Sequence, residues 1–256
     1  MSKDTRAPEQ RASYVISLRP AGLHAPMRAA AAAHGMRLLA LSPWRIRTRA
    51  DARTRAALAE ALTADVVLFT SPAAVAAAAA LAPLRPAPGQ PWLAVGAGTA
   101  AALERAGVAD VVSPSRMDSE GLLALPPLRQ LQGRSVGMVT APGGRGLIAP
   151  ALAARGARVR RADVYERVPV TPSPRALARL RALDAPLYLA LSSAEALQRL
   201  LDVVPAALLA RLRAAQVLAA SERLADLARA AGFERVSVAG DARPASLLAA
   251  SGLPRR

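Results

Sequence analysis

Residues 137–169 read GMVTAPGGRGLIAPALAARGARVRRADVYERVP, and this stretch decides the fold. The apolar residues 136–140 are enough for one buried strand, and a Pro-Gly-Gly turn follows at 142–144. A helix then runs up to Gly156, which we expect to end it, because glycine enters the left-handed cap region without steric cost. A second extended segment ends in Val-Tyr-Glu-Arg at 164–167. The stretch therefore predicts a strand–loop–helix–strand unit, whose glycine-rich loop lies where parallel sheets bind ligands.

The same pattern occurs near the beginning of the chain, in residues 14–44. Its helix is expected to end at Gly35, which corresponds to Gly156 at an offset of 121 positions. An aromatic residue follows each of these glycines after nine positions, Trp44 in the first copy and Tyr165 in the second.

A second pair of similar segments indicates that the repeat extends further. VVLFTS at 66–71 resembles LYLALSS at 187–193 with the same offset of 121. Two helix starts, at 96–99 and 221–223, repeat with an offset of 125. A repeat of about 120 residues has the size of a domain, so the chain is interpreted as a diverged duplication.

Strands and helices alternate along the whole chain, which is typical of the α/β class. Several of the strands are continuous apolar runs, as strands covered on both faces require. We predict two parallel sheets of five strands each. The predicted strands are 14–18, 37–41, 66–70, 92–95, 110–112, 135–140, 158–164, 187–191, 216–220 and 235–238.

Composition limits the class of protein. The 256 residues are 53% hydrophobic and include no cysteine, which excludes a disordered chain and thiol chemistry. The net charge of +16 comes almost entirely from arginines that are spread over the predicted helices, so we expect a solvated surface and no nucleic-acid partner. No apolar run is long enough to span a membrane, and polar residues 1–12 are predicted to be a disordered tail and no signal peptide. A cytoplasmic location is expected.

Motifs for cofactors are missing from the sequence. There is no phosphate-binding loop, and Gly-Ala-Gly at 96–98 lacks the third glycine of a dinucleotide fingerprint. His24 and His34 are too few and too far apart for a metal triad, so we predict that the protein needs no cofactor.

Hydroxyl groups and glycines collect where predicted strands give way to helices. A helix N-terminus offers unpaired N–H groups and about half a positive charge, which suits carboxylates and phosphates. Simple capping of the helix is the alternative interpretation for each serine. The candidate binding residues at these positions are Thr70, Ser71, Gly96, Thr99, Gly143, Gly144, Ser192, Ser193 and Ser221.

Several of these segments together resemble the uroporphyrinogen-III synthase family. The resemblance is carried by Phe-Thr-Ser at 69–71 with Ala-Val at 74–75, by Val-Tyr-Glu-Arg at 164–167 and by Ser-Glu-Arg at 221–223. It keeps its order from about Tyr14 to Leu248. Leu-Arg-Pro at 18–20 departs from the Thr-Arg-Pro of the family, which removes a hydroxyl from that strand end.

This resemblance implies two similar flavodoxin-like domains on either side of a cleft. One domain would comprise residues 13–44 with 170–256 and the other residues 49–164. Two extended linkers, near 42–48 and 165–171, would join them.

The resemblance also implies the reaction. The enzyme would be a monomer that closes hydroxymethylbilane to uroporphyrinogen III, with loss of water and inversion of ring D, in haem biosynthesis. It further implies that Tyr165 donates a hydrogen bond to the departing hydroxyl, and that Arg19 and Arg223 join the residues that face substrate carboxylates. For Arg167, a contact with a carboxylate and a place on the solvated surface both stay open. Two other interpretations stay open, namely a non-catalytic two-domain binding or regulatory protein for an anionic small molecule, and a nucleic-acid binder driven by charge.

Overall fold

A computed structural model describes residues 12–115, 119–143 and 146–255. The chain forms two compact units. Unit 1 ends its first segment at Arg45 and resumes at Val168, and unit 2 is Ile46–Arg167. The predicted tail, apart from Ala12, lies outside the described residues.

Helices and strands alternate as predicted. In chain order the elements are β1 (Tyr14–Ser17), α1 (Ala25–Ala33), β2 (Arg37–Ala40), β3 (Trp44–Thr48), α2 (Ala52–Leu62), β4 (Val66–Phe69), α3 (Pro72–Leu81), β5 (Trp92–Ala94), α4 (Ala97–Arg105), α5 (Ser119–Leu123), a 3-10 helix (Pro126–Leu128), β6 (Ser135–Thr140), α6 (Ile148–Ala154), β7 (Arg158–Asp163), β8 (Tyr165–Pro169), α7 (Pro174–Ala182), β9 (Leu187–Leu191), α8 (Ala194–Val203), α9 (Ala206–Arg213), β10 (Gln216–Ala219), α10 (Glu222–Ala230), β11 (Val236–Val238) and α11 (Pro244–Ala249).

Unit 1 is built on a five-stranded parallel sheet in the order β11-β10-β9-β1-β2. The central strands β9 and β1 are buried along their whole length, because helices cover both faces of the sheet. Tyr14 pairs with both Arg37 and Leu187, so the carboxyl ends of these three strands lie at one edge.

Unit 2 holds a four-stranded parallel sheet in the order β5-β4-β6-β7. The prediction of a fifth strand at 110–112 is wrong, since this segment is reduced to a single bridge between Val112 and Leu93. Asp110 has a φ of 54°, in the left-handed region, so an extended strand cannot run through it. The predicted α/β fold with two similar parallel sheets is otherwise confirmed.

Strands that correspond to each other in the two repeats occupy the same places in the two sheets. At the offset of 121, β1 and β2 begin where β6 and β7 begin, and β4 begins where β9 begins. Unit 1 therefore combines the first part of one repeat with the last part of the other, and unit 2 combines the two remaining parts. The bridge residue Val112 takes the place of β11.

The chain passes from one unit to the other within β3 and β8, which form a separate two-stranded sheet. The Arg49 N–H donates to the Val164 carbonyl at 2.9 Å, and the Val170 N–H donates to the Pro43 carbonyl at 3.1 Å. These bonds show that β3 and β8 run antiparallel.

Glycines act at two places in unit 2. Gly156 follows α6 with a φ of 83°, as predicted for the residue that ends this helix. Gly137 in β6 lies directly against α2. A methyl carbon at Gly137 would lie only 2.6 Å from the carbonyl carbon of Ala61, so the helix can approach the sheet here only because there is no side chain. Among the described residues, no helix combines the length and the apolar character needed to cross a membrane.

Candidate active site

Tyr165 and Ser71 form the centre of a polar site at the carboxyl edge of the sheet in unit 2. Tyr165 is the first residue of β8 and is only 4% exposed. Its Oη lies 3.1 Å from Ser71 Oγ, and either hydroxyl could be the donor. Ser71 is the N-cap of α3, and its Oγ accepts a hydrogen bond from the Ala74 N–H at 3.1 Å. The site thus joins a buried phenol to the positive end of a helix.

A second pair of hydroxyls lies beside the first. Since β4 pairs with β6 in parallel, with Phe69 opposite Val139, the next residues of both strands are neighbours at the edge. The Thr70 hydroxyl donates to Thr140 Oγ1 at 2.7 Å. The sequence placed Thr70 and the segment 140–144 at strand ends, but it could not predict this contact, which joins residues 70 positions apart and depends on the pairing of the two strands.

These hydroxyls line a pocket of about 200 Å³, and all of its lining residues belong to unit 2. Its lining residues are Thr70, Ser71, Met138, Thr140, Ala141, Pro142, Gly143, Gly146, Leu147, Ile148, Ala149, Arg161, Tyr165 and Arg167. The lining is partly polar and partly apolar, which suits a ligand that carries charged groups on an apolar frame.

Two arginines line this pocket, and one of them, Arg161, is paired with the carboxylate of Asp163. Arg161 is held in place because its Nη2 donates to the Ala141 carbonyl at 3.0 Å and its Nε donates to Asp163 Oδ1 at 3.0 Å. Arg167, on β8, also lines the pocket. Arg161 was not predicted as a site residue. It lies in the middle of a predicted strand, six residues before Arg167, where nothing in the sequence distinguishes it from the neighbouring arginines.

The structure brings together only part of the predicted site in this pocket. Thr70, Ser71, Gly143 and Tyr165 line it, together with Arg167, for which the sequence left a surface position open. The predicted residue Gly144 lies outside the described residues.

Two further candidates of unit 2 lie outside this lining. Gly96 is the N-cap of α4, and the Thr99 side chain is buried in the first turn of the same helix. Both residues follow β5, the neighbour of β4 in the sheet, so they share its carboxyl edge with Ser71.

The other predicted residues belong to unit 1. Ser193 and Ser221 are the N-caps of α8 and α10, with Oγ accepting from the Ala196 N–H at 3.3 Å and from the Leu224 N–H at 3.4 Å. Ser192 and Arg223 are exposed beside these caps. Arg19 follows β1, and its Nε donates to the Leu23 carbonyl at 2.9 Å. All five follow adjacent strands of one sheet and therefore share its carboxyl edge.

A buried histidine bridge at this edge was not predicted. His24 lies 2.9 Å from Ser17 Oγ through Nδ1 and 2.8 Å from Ser42 Oγ through Nε2. Burial, together with the charges of Arg19 and Arg28, lowers the pKa of His24. The bridge ties the turn after β1 to the end of β2, and its serines lie 7 and 18 positions from the histidine, too irregular a spacing to be recognised as a motif. In the part of the chain that the structure describes, no group of three or more His, Cys, Asp or Glu side chains could hold a metal ion.

Comparison with known proteins identifies relatives for most of the chain. The family model described as uroporphyrinogen-III synthase HemD matches residues 25–249. The uroporphyrinogen-III synthase of Salmonella typhimurium LT2 is 34% identical over 161 residues, which are 62% of this chain and 65% of that protein. The enzyme of the same name from Escherichia coli K12 is 33% identical over 162 residues, with the same coverage. The chain thus spans about 65% of the length of the curated relatives it matches.

Solved structures show the same fold. A mutant uroporphyrinogen III synthase from the extremely thermophilic bacterium Thermus thermophilus is similar with a TM-score of 0.56 and 24% identity, over 94% of this chain and 97% of that chain. The uroporphyrinogen-III synthetase of Helicobacter pylori 26695 gives a TM-score of 0.59 at 13% identity, over 94% of this chain and 98% of that one.

Proposed function

Because this chain belongs to the uroporphyrinogen-III synthase family, we propose that it closes hydroxymethylbilane to uroporphyrinogen III with loss of water and inversion of ring D. The observation that carries the proposal is the buried phenol of Tyr165, which lines a pocket together with hydroxyls and two arginines. A phenol can give a proton to a departing hydroxyl, and hydroxyls and guanidinium groups can hold the carboxylates of the substrate.

The proposed reaction balances with Tyr165 as its acid. Electrons from the pyrrole expel the hydroxyl, which takes the Tyr165 proton and leaves as water. Closure of the ring by attack of a pyrrole carbon releases one proton, which restores the phenol. The net change is the loss of one water, and the pyrroles supply the electrons, so we propose that no cofactor takes part.

Binding would orient the flexible substrate. Its eight carboxylates suit Arg161 and Arg167, and helix N-termini add about 0.3–1 kcal/mol per exposed contact. We further propose that the predicted residues of unit 1, Arg19, Ser192, Ser193, Ser221 and Arg223, bind carboxylates of the same substrate, as do Gly96, Thr99 and the loop at 143–144. Holding the two ends of the linear substrate together would supply much of the rate enhancement.

The broader setting of the enzyme stays a prediction. We propose a cytoplasmic monomer that acts in haem biosynthesis, needs no nucleic acid or membrane, and has the predicted domain bounds of 13–44 with 170–256 and 49–164. Size-exclusion chromatography with light scattering tests the oligomeric state, where a mass near 26.5 kDa is expected.

The decisive test is the identity of the product. The full chain is incubated with hydroxymethylbilane generated enzymatically, and the product isomers are resolved by chromatography. We expect the inverted isomer III in excess, whereas a reaction without the protein gives the uninverted isomer. A product mixture equal to that of the protein-free control would overturn the proposal, and substrate binding without isomer III would favour the non-catalytic alternative.

A further inference from the structure

We propose that Ser71 is a positioning residue for Tyr165 and not a substrate ligand. The inference rests on the proposed function, in which Tyr165 protonates the departing hydroxyl. It starts from the contact of 3.1 Å between Ser71 Oγ and Tyr165 Oη.

The hydrogen bonds of Ser71 determine what it can offer to the phenol. The buried Ala74 N–H donates to Ser71 Oγ and also to the Ser71 carbonyl, each at 3.1 Å. A serine hydroxyl that has accepted this bond still has its own proton to donate. Donation to Tyr165 Oη leaves the phenolic proton free to point into the pocket.

The surroundings favour donation from Ser71 to Tyr165. An N–H that donates to a hydroxyl oxygen polarises its O–H bond and makes the hydroxyl a better donor. The N-terminus of α3 adds positive potential on the same side. Both effects stabilise the negative charge that appears on Tyr165 Oη when its proton leaves with the departing hydroxyl.

Burial makes this stabilisation matter for the rate. Tyr165 is 4% exposed, so water can give little help to the oxygen that becomes negative. A hydrogen bond that strengthens as charge develops lowers the barrier of the chemical step and not the free energy of substrate binding. The inference therefore predicts an effect on kcat with little change in KM.

The repeated half of the chain shows that capping alone does not require this contact. Ser193 caps α8 through the same kind of bond, but the position equivalent to Tyr165 in the other repeat is Trp44. An indole offers one N–H donor and no acceptor, so no serine can donate to it. The bond between Ser71 and Tyr165 is thus an addition to the cap.

The experiment separates the cap from the donor. Glycine is also a good N-cap, as at Gly96 in this chain, so Ser71→Gly removes the hydroxyl at small cost to the helix. Ser71→Thr keeps a hydroxyl in the same place. Ser173→Gly is the control, because Ser173 caps α7 through the Ala176 N–H at 3.2 Å and has no place in the proposed site.

We expect Ser71→Gly to lower kcat about ten-fold with KM within about two-fold, the size of one hydrogen bond to a charged group. Ser71→Thr should recover kcat to within about three-fold of the wild type, and Ser173→Gly should stay within about two-fold, as a surface cap allows. In a Tyr165→Phe background, Ser71→Gly should cost less than about two-fold, because the two groups act as a unit.

Three results would overturn the inference. They are an unchanged kcat in Ser71→Gly, whether or not KM rises, no recovery in Ser71→Thr, and a full ten-fold loss on top of Tyr165→Phe. The proposed function fails separately, if the wild-type protein yields no excess of isomer III. A wild type that makes isomer III while Ser71→Gly turns over at the same rate contradicts only the role of Ser71.

Discussion

In unit 1, the polar side chains at the ends of β1 and β2 bond to one another. In unit 2, the polar side chains at the ends of the corresponding strand β6 and of its neighbours line a pocket. In unit 1, the imidazole of His24 uses both nitrogens to bridge Ser17 and Ser42. In unit 2, the phenol of Tyr165 and the pair of Thr70 and Thr140 line a pocket. The strand order is the same, so the difference lies in a few side chains at the strand ends.

Equivalent positions show how the two repeats diverged. Trp44 stands where Tyr165 stands, and Arg19 stands where Thr140 stands, both at the offset of 121. The apolar framework kept its pattern because the central strands must still bury both faces. The strand ends carry no such constraint, so one copy could acquire a phenol while the other acquired a cation.

The substitution with the largest expected effect on stability tests the close contact of α2 with β6. Ile16 occupies the position in unit 1 that Gly137 occupies in unit 2, and it is fully buried. Gly137→Ala would place a methyl group against the backbone of Ala61, which cannot move without the helix. We expect a loss of about 3 kcal/mol or more in the free energy of unfolding of unit 2, measured by peptide-resolved hydrogen exchange.

Gly98→Ala is the matched control for that substitution. The nearest atom to a methyl group there is Pro72 Cγ at 3.8 Å, an ordinary contact, and the residue lies in a helix. Stability should stay the same or rise by up to about 1 kcal/mol. Equal effects of the two substitutions would show that α2 is not held closely to the sheet.

The difference between Tyr165 and Trp44 is tested by removing the phenolic oxygen. Tyr165→Phe should lower turnover by about ten-fold or more, which is about 1.4 kcal/mol in the barrier, while the fold stays intact. Tyr188→Phe is the control, since Tyr188 is also buried, at 9% exposure, but lies on β9 of unit 1, outside the pocket. Near-normal turnover in Tyr165→Phe would remove this residue from the mechanism.

Most of the fold could be predicted from the sequence, because apolar strands and glycine caps repeat at a nearly constant offset. The prediction of a strand at 110–112 was wrong, because Asp110 takes a left-handed conformation that the neighbouring residues do not indicate. The sequence also could not supply the contacts of the site. The pairs Thr70–Thr140 and Ser71–Tyr165 join residues 70 and 94 positions apart, and only the register of the sheet brings them together.

A smaller effect is expected in unit 1, at the proposed substrate ligand Ser192. This serine is exposed beside the cap residue Ser193, so its loss should leave the helix intact. Ser192→Ala should raise KM about five-fold, the effect of about 1 kcal/mol from one lost hydrogen bond, with kcat unchanged. An unchanged KM, equal to that of the surface control Ser173→Ala, would mean that unit 1 binds the substrate without this hydroxyl.

The smallest effect should appear in the pH dependence of unit 1, because the histidine bridge has no counterpart in unit 2. The pKa of His24 is lowered by burial and by Arg19 and Arg28, so the unfolded chain takes up a proton first, near its ordinary pKa of 6.5. The stability that neutral His24 contributes is therefore complete above about pH 6.5 and is lost as the pH falls below it. Urea unfolding can be followed by the fluorescence of Trp44 in a Trp92→Phe background, since the chain has two tryptophans and Trp44 lies in unit 1. We expect His24→Gln to reduce the decrease in stability between about pH 7.5 and 5.5, whereas parallel pH profiles would show that the imidazole is as easily protonated in the folded chain as in water.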